Sequence, residues 1–109
     1  MNNDWLLLIV AIIFEVIATS CLKLSVGMTK LWPTLLVLTG YAIAFLLLSK
    51  VVLTLPLGIT YALWSGIGII SIVIVGLFAY KQVPTQGQLV GIAMITTGVI
   101  IVNLFDSYP

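Results

Sequence analysis

Four long apolar runs, each set off from the next by proline, glycine or lysine, decide what this chain can fold into. They cover about 4–22, 33–48, 56–79 and 89–105, and the stretches between them, KLSVGMTKLWP, SKVVLTLPLG and YKQVPTQGQ, are short. A helix crossing the ~30 Å hydrocarbon core of a bilayer needs about 20 apolar residues, with ~17–25 tolerated. The second and fourth runs sit near the lower limit, so interfacial residues must lengthen them. Backbone amides in lipid find no water, and a helix satisfies them within the segment. The expected architecture is therefore all-α: one transmembrane domain, 1–109, of four helices. A soluble four-helix bundle would need a polar face. The chain cannot supply one, because it is 62% hydrophobic and 6% charged, with a mean hydropathy of +1.34. A soluble domain carries about 25% charged residues.

The same scarcity excludes other classes. A net charge of +1, from four scattered lysines against three acids, cannot build a basic patch for nucleic acid. Cys21 is the one cysteine, in an apolar run, and reads as a small packing residue. With no histidine and no cysteine cluster, no metal site and no cofactor are expected. The N-terminal run lacks a basic leader and contains Asp4 and Glu15, so it is read as a first span and not as a cleaved signal.

Four crossings place both ends of the chain on one side. Lys23, Lys30 and Lys81 then lie on the opposite side from Lys50. The positive-inside rule puts the loops near Lys30 and Lys81 in the cytoplasm of a cell whose inner (plasma) membrane holds the protein. The margin is narrow enough for insertion in both orientations.

From Trp5 to Val16 the only side chain that is not apolar is Glu15. At ~1.5 Å per residue it lies roughly 16 Å along the helix from Asp4, near the bilayer midplane. A charge there costs about 2.5–3.5 kcal/mol on insertion scales, and such residues usually carry function. The competing role is glue, a carboxylate hydrogen-bonded to a neighbouring helix. Against it, none of the lysines falls at comparable depth. Desolvation favours the neutral acid, so the group takes up a proton and gives it up when a cation arrives. A proton-coupled cation carrier needs that behaviour. On a helix, Glu15 shares its face with Leu8, Ala11, Ile12, Ala18, Thr19 and Leu22. The small members, Ala11, Ala18 and Thr19, either leave room beside the carboxylate or allow a close helix contact.

The third run contributes GITYALWSGIG, with Tyr61, Trp64 and Gly68 on one face. Aromatic faces attract cations by ~0.5–2 kcal/mol. Placement in the interfacial aromatic belt is the other reading of Tyr61 and Trp64. Tyr41 and Phe45, four apart on the second run, either extend the aromatic wall or simply pack. Gly66 and Gly68 permit bending or tight packing.

FEVIATSCLK, LWP, LPLGITYALWSGIG and GIAMITTGVIIVN, in this order and over nearly the whole chain, resemble the small multidrug resistance family. The resemblance implies an antiparallel dimer, of two copies or of a copy and a paired relative, that exchanges protons for cationic substrate across the membrane. Glu15 looks like the shared proton and substrate carboxylate, and Tyr61, Trp64 and Tyr41 like the aromatic lining. GIG at 66–68 resembles the third-helix hinge. Gly91 and Gly98 resemble the fourth-helix dimer contact, and their i, i+7 spacing independently makes one smooth stripe. Guanidinium exporters of the family carry Trp at the place of Ala18 and a hydrogen-bonding Ser at the place of Ala44. The multidrug subtype usually has Gly and Ser there, so this chain departs from both patterns.

The leading expectation is a non-enzymatic exporter of hydrophobic and quaternary ammonium cations. A guanidinium exporter, a lipid-carrier flippase component and a membrane assembly factor are the alternatives. The flippase-like relatives need no mid-membrane glutamate, and an assembly factor needs no aromatic set beside one. The lysine balance is directly testable. With Cys21 replaced, a single cysteine introduced next to Lys30 should react with impermeant reagents from both sides of the membrane. Reaction from one side alone would rule out dual insertion.

Overall fold

The computed structural model describes residues 3–105. The elements are α1 (Asn3–Leu22), a short 3-10 turn (Lys23–Ser25), α2 (Leu31–Val51), α3 (Leu57–Tyr80) and α4 (Gln86–Leu104), with no strand among the described residues. All four helices are long and apolar enough to cross a membrane. The chain divides into two compact units, 1–54 and 55–109, each a pair of consecutive helices.

Two helices run further than hydropathy alone suggests. α2 starts at Leu31, before the 33–48 run, because Pro33 sits in its first turn, where a missing N–H costs nothing. It ends at Val51, past Ser49 and Lys50. α4 starts at Gln86 and not at Leu89 because Thr85 and Gln88 form a reciprocal capping box. Thr85 Oγ1 accepts from the Gln88 amide at 3.2 Å, and Gln88 Oε1 accepts from the Thr85 amide at 2.9 Å. Two otherwise orphaned donors are thereby satisfied.

In the first hairpin α1 packs along α2. The buried residues recur at helical spacing, Leu8, Ala11, Ile12 and Ala18 on α1 and Val37, Gly40, Ala44 and Val51 on α2. The helices meet most closely at Gly40, where an added Cβ would lie 2.8 Å from Ala18 Cβ and 3.2 Å from the Phe14 carbonyl oxygen. The connection is a tight left-handed turn in which Val26, Gly27 and Met28 have φ of 49°, 68° and 67°. Glycine accepts that backbone freely, whereas a β-branched valine does not. Ser25 holds the turn from beneath. Its buried hydroxyl donates to the Leu22 carbonyl and accepts from the Met28 amide.

In the second hairpin α3 ends on Lys81, itself left-handed at φ 55°, and the Lys81 and Gln82 amides converge on the Gly76 carbonyl. α3 is unbroken through Gly66 and Gly68, both buried. Gly66 faces α4, and a Cβ there would overlap Val99 Cγ2. Valine is stiff at χ1 and cannot swing away. Gly66→Ala should therefore destabilise the protein by about 1–3 kcal/mol, and Val99→Ala should recover part of the loss. Denaturant unfolding in detergent measures both; equal stability of Gly66→Ala and the parent would show that α3 and α4 do not meet there.

Candidate functional site

Glu15 occupies the middle of α1, half-buried, one turn below Thr19. The Thr19 hydroxyl donates to Glu15 Oε2 at 2.5 Å. The same hydroxyl oxygen lies 2.5 Å from the Tyr41 phenol oxygen on α2. A threonine hydroxyl has one hydrogen. With Glu15 ionised that hydrogen points to the carboxylate, and Tyr41 is then the donor in the second bond. Three polar groups from two helices thus form one string, Tyr41 to Thr19 to Glu15.

This use of a helical threonine is unusual within the chain. Ser20, Ser71, Thr96 and Thr97 turn their hydroxyls onto the backbone carbonyl four residues earlier. That is the common local satisfaction of such groups in a helix. Thr19 forgoes it and serves side chains instead. The sequence offers Thr19 as a small neighbour of Glu15 and a substrate-binding candidate, not as its hydrogen-bond donor; its i, i+4 position, within reach of a carboxylate, was the available signal.

The remaining α1 candidates separate by burial. Leu8, Ala11 and Ala18 are almost wholly buried, as is Ile12. Ala18 is spent on the contact with Gly40. Of the two readings of the small residues, close packing therefore accounts for Ala18. On α2, Phe45 stacks on Tyr41 with ring centroids 6.1 Å apart and planes 23° from parallel, and stays about half exposed. Ala44 is buried and brings no hydroxyl toward the carboxylate.

In the second hairpin Tyr61 and Trp64 form an edge-to-face pair, centroids 5.6 Å apart and planes at 73°. Tyr61 is 60% exposed, so one ring remains open to a ligand or a lipid interface. On α4 none of the described residues is buried. Gly91 and Gly98 both look into open space, with no atom within 4 Å of the Cβ either would gain. Gly91 also borders a groove of about 500 Å³ between α3 and α4, beside Gly76, Gln82 and Pro84.

Four helices long and apolar enough to cross a membrane, with a partly buried carboxylate in the middle of the first, define a small polytopic membrane protein. The family described as "Small Multidrug Resistance protein" matches residues 3–95, and the chain belongs to it. It is 45% identical over 104 residues to the quaternary ammonium compound-resistance protein QacE of Escherichia coli, covering 95% of this chain and 94% of that one. A multidrug transporter of Pseudomonas aeruginosa is 44% identical over the same shares. The quaternary ammonium compound-resistance protein QacG of a Staphylococcus species is 41% identical over 93% of this chain and 94% of its own. The protein is a multi-pass protein of the plasma membrane.

Proposed function

We propose that the chain exports hydrophobic and quaternary ammonium cations in exchange for protons. The observation that carries this reading is the partly buried mid-span carboxylate of Glu15, held by an oriented hydroxyl and, among the described residues, by no cation. The exposed side of such a group is costly against lipid, so it faces a chamber that admits water and substrate. A cation there stabilises the charged carboxylate and a proton abolishes the charge, so the two compete for one group. Tyr41, Phe45, Tyr61 and Trp64 supply aromatic faces for the cation, with Thr19 supporting the carboxylate and the buried Leu8, Ala11 and Ala18 packing behind it. Gly66 and Gly68 are the positions at which α3 adjusts as access alternates. The work is carriage and not bond-breaking, and needs no cofactor or metal.

Ala18 separates this reading from guanidinium export. A tryptophan at that position, as in the guanidinium pattern, would have to occupy the space that Gly40 takes against Ala18. Together with the missing hydroxyl at Ala44, this favours bulky cations recognised by apolar and aromatic surface over a small polar cation that needs fixed hydrogen-bond partners.

Four helices with one carboxylate are too few to enclose a gated path, so the working unit is a dimer. Its two chains lie antiparallel as a homodimer, a paired relative being the alternative partner. The open stripe of Gly91 and Gly98 supports α4 as the face that joins them.

Proton release on adding tetraphenylphosphonium to the protein in weakly buffered detergent tests the exchange. Release is expected, with affinity falling as the pH is lowered, because protonation removes the charge that holds the cation. Glu15→Gln should lose both binding and release. No release, with affinity flat from acid to alkaline pH, would leave Glu15 without a coupling role. The dimer is tested separately by Gly98→Leu, which should leave monomer without transport; a fully dimeric, active variant would exclude the α4 contact.

A further inference from the structure

Glu15, Thr19 and Tyr41 form a directional string, and its direction depends on whether Glu15 holds a proton. With the carboxylate ionised, Thr19 donates to Glu15 Oε2 and Tyr41 donates to Thr19. The phenol hydrogen then points inward, and the Tyr41 oxygen offers its lone pairs to the surroundings. With Glu15 protonated, the acid becomes a donor. Its hydrogen turns to Thr19 Oγ1, the Thr19 hydrogen turns to the Tyr41 oxygen, and the Tyr41 hydrogen must point outward. One O–H bond forms, on Glu15, and none within the string breaks; the two hydroxyls only rotate.

We propose that Thr19 is a positioning residue that couples the protonation of Glu15 to the direction of the Tyr41 hydroxyl, so that both groups present negative charge to a cation together or withdraw it together. The inference rests on the exchange reading above and adds a second polar group to the competition. Ionised, the site shows a carboxylate and an outward phenol lone pair. Protonated, it shows a neutral acid and an outward O–H dipole whose positive end faces the substrate. A cation is thus attracted twice in one state and disfavoured twice in the other.

Other titratable groups on the elements packed with Glu15 lie away from the string. On α1 and the turn, Asp4 is roughly 16 Å from Glu15 along the helix axis, Cys21 about 9 Å and Lys23 about 12 Å, the last two rising about 3 Å and 6 Å beyond Thr19. On the α2 side Lys30 caps the N-terminus, and Lys50 stands roughly 14 Å along the axis from Tyr41. Tyr41 alone is joined to the carboxylate through hydrogen bonds. The chain also lacks a hydroxyl at Ala44, where its family resemblance would place a serine, so Thr19 is the hydroxyl that orients Glu15.

The test is the pH midpoint of tetraphenylphosphonium binding to the full-length protein in detergent, for the wild type and for Thr19→Val, Thr19→Ser, Tyr41→Phe and Thr19→Val/Tyr41→Phe. A hydrogen bond to a charged acceptor is stronger than one to a neutral group, so Thr19→Val should raise the midpoint by about one pH unit. Thr19→Ser keeps the hydroxyl and should restore it. Tyr41→Phe should raise it by less, and should add nothing once Thr19 is valine. A midpoint unmoved by Thr19→Val, or a Tyr41→Phe shift equal in both backgrounds, overturns the coupling while leaving exchange intact. A wild type with no pH dependence overturns both. Should Thr19→Val fail to fold, Tyr41→Phe alone decides: an unshifted midpoint removes Tyr41 from the string.

Discussion

Two helices approach each other only as closely as their contact side chains allow, and in the first hairpin that limit is set by Ala18 against Gly40. Interhelical distances of 8–10 Å are usual, and small residues bring them to the lower end. The next residues along each helix are Thr19 and Tyr41. Their hydroxyls reach one another at 2.5 Å because the backbones beside them already touch. A larger side chain at 18 or 40 would part the helices at the same height and open that hydrogen bond. Packing and polar chemistry in this hairpin are therefore one feature: a pair of very small residues positions a polar string between the helices.

The second hairpin repeats the device without the chemistry. Gly66 lets Val99 sit where its own side chain would be, and each end of the connection is closed by backbone conformation and capping, not by charge. Lys81 turns left-handed to stop α3 and the Thr85–Gln88 box starts α4. In a chain with so few charged groups, caps and small-residue contacts perform work that ion pairs share in soluble bundles. The capping box suits lipid because it pairs backbone groups that would otherwise lack a partner.

The helical spans were legible from hydropathy because the bilayer imposes length and composition together. Their ends were less so. Polar residues such as Thr85, Gln86 and Gln88 lower the hydropathy but are the residues a helix start requires, and Pro33 looked like a boundary although it belongs to the first turn of α2. Glu15 was legible as a candidate because it is the one charged side chain in its apolar run, with structural glue as the competing account. The role of Thr19 was not, since hydropathy and size say nothing about which of two available acceptors a hydroxyl selects. That choice depends on α2 placing a phenol opposite, a tertiary fact outside local pattern.

Gly98 presents an open side: among the described residues, none reaches within 4 Å of the Cβ it would gain. Residues inside a protein are constrained by their neighbours in the same chain, so their variation is filtered by folding. A position with no such neighbours is filtered only by whatever another molecule places there. If the proposed pairing through α4 holds, then after a gene duplication changes at such open positions would accumulate in either copy without unfolding it, and would convert a protein that pairs with itself into two that pair with each other. Positions on α4 open to other molecules would then be where partner identity evolves.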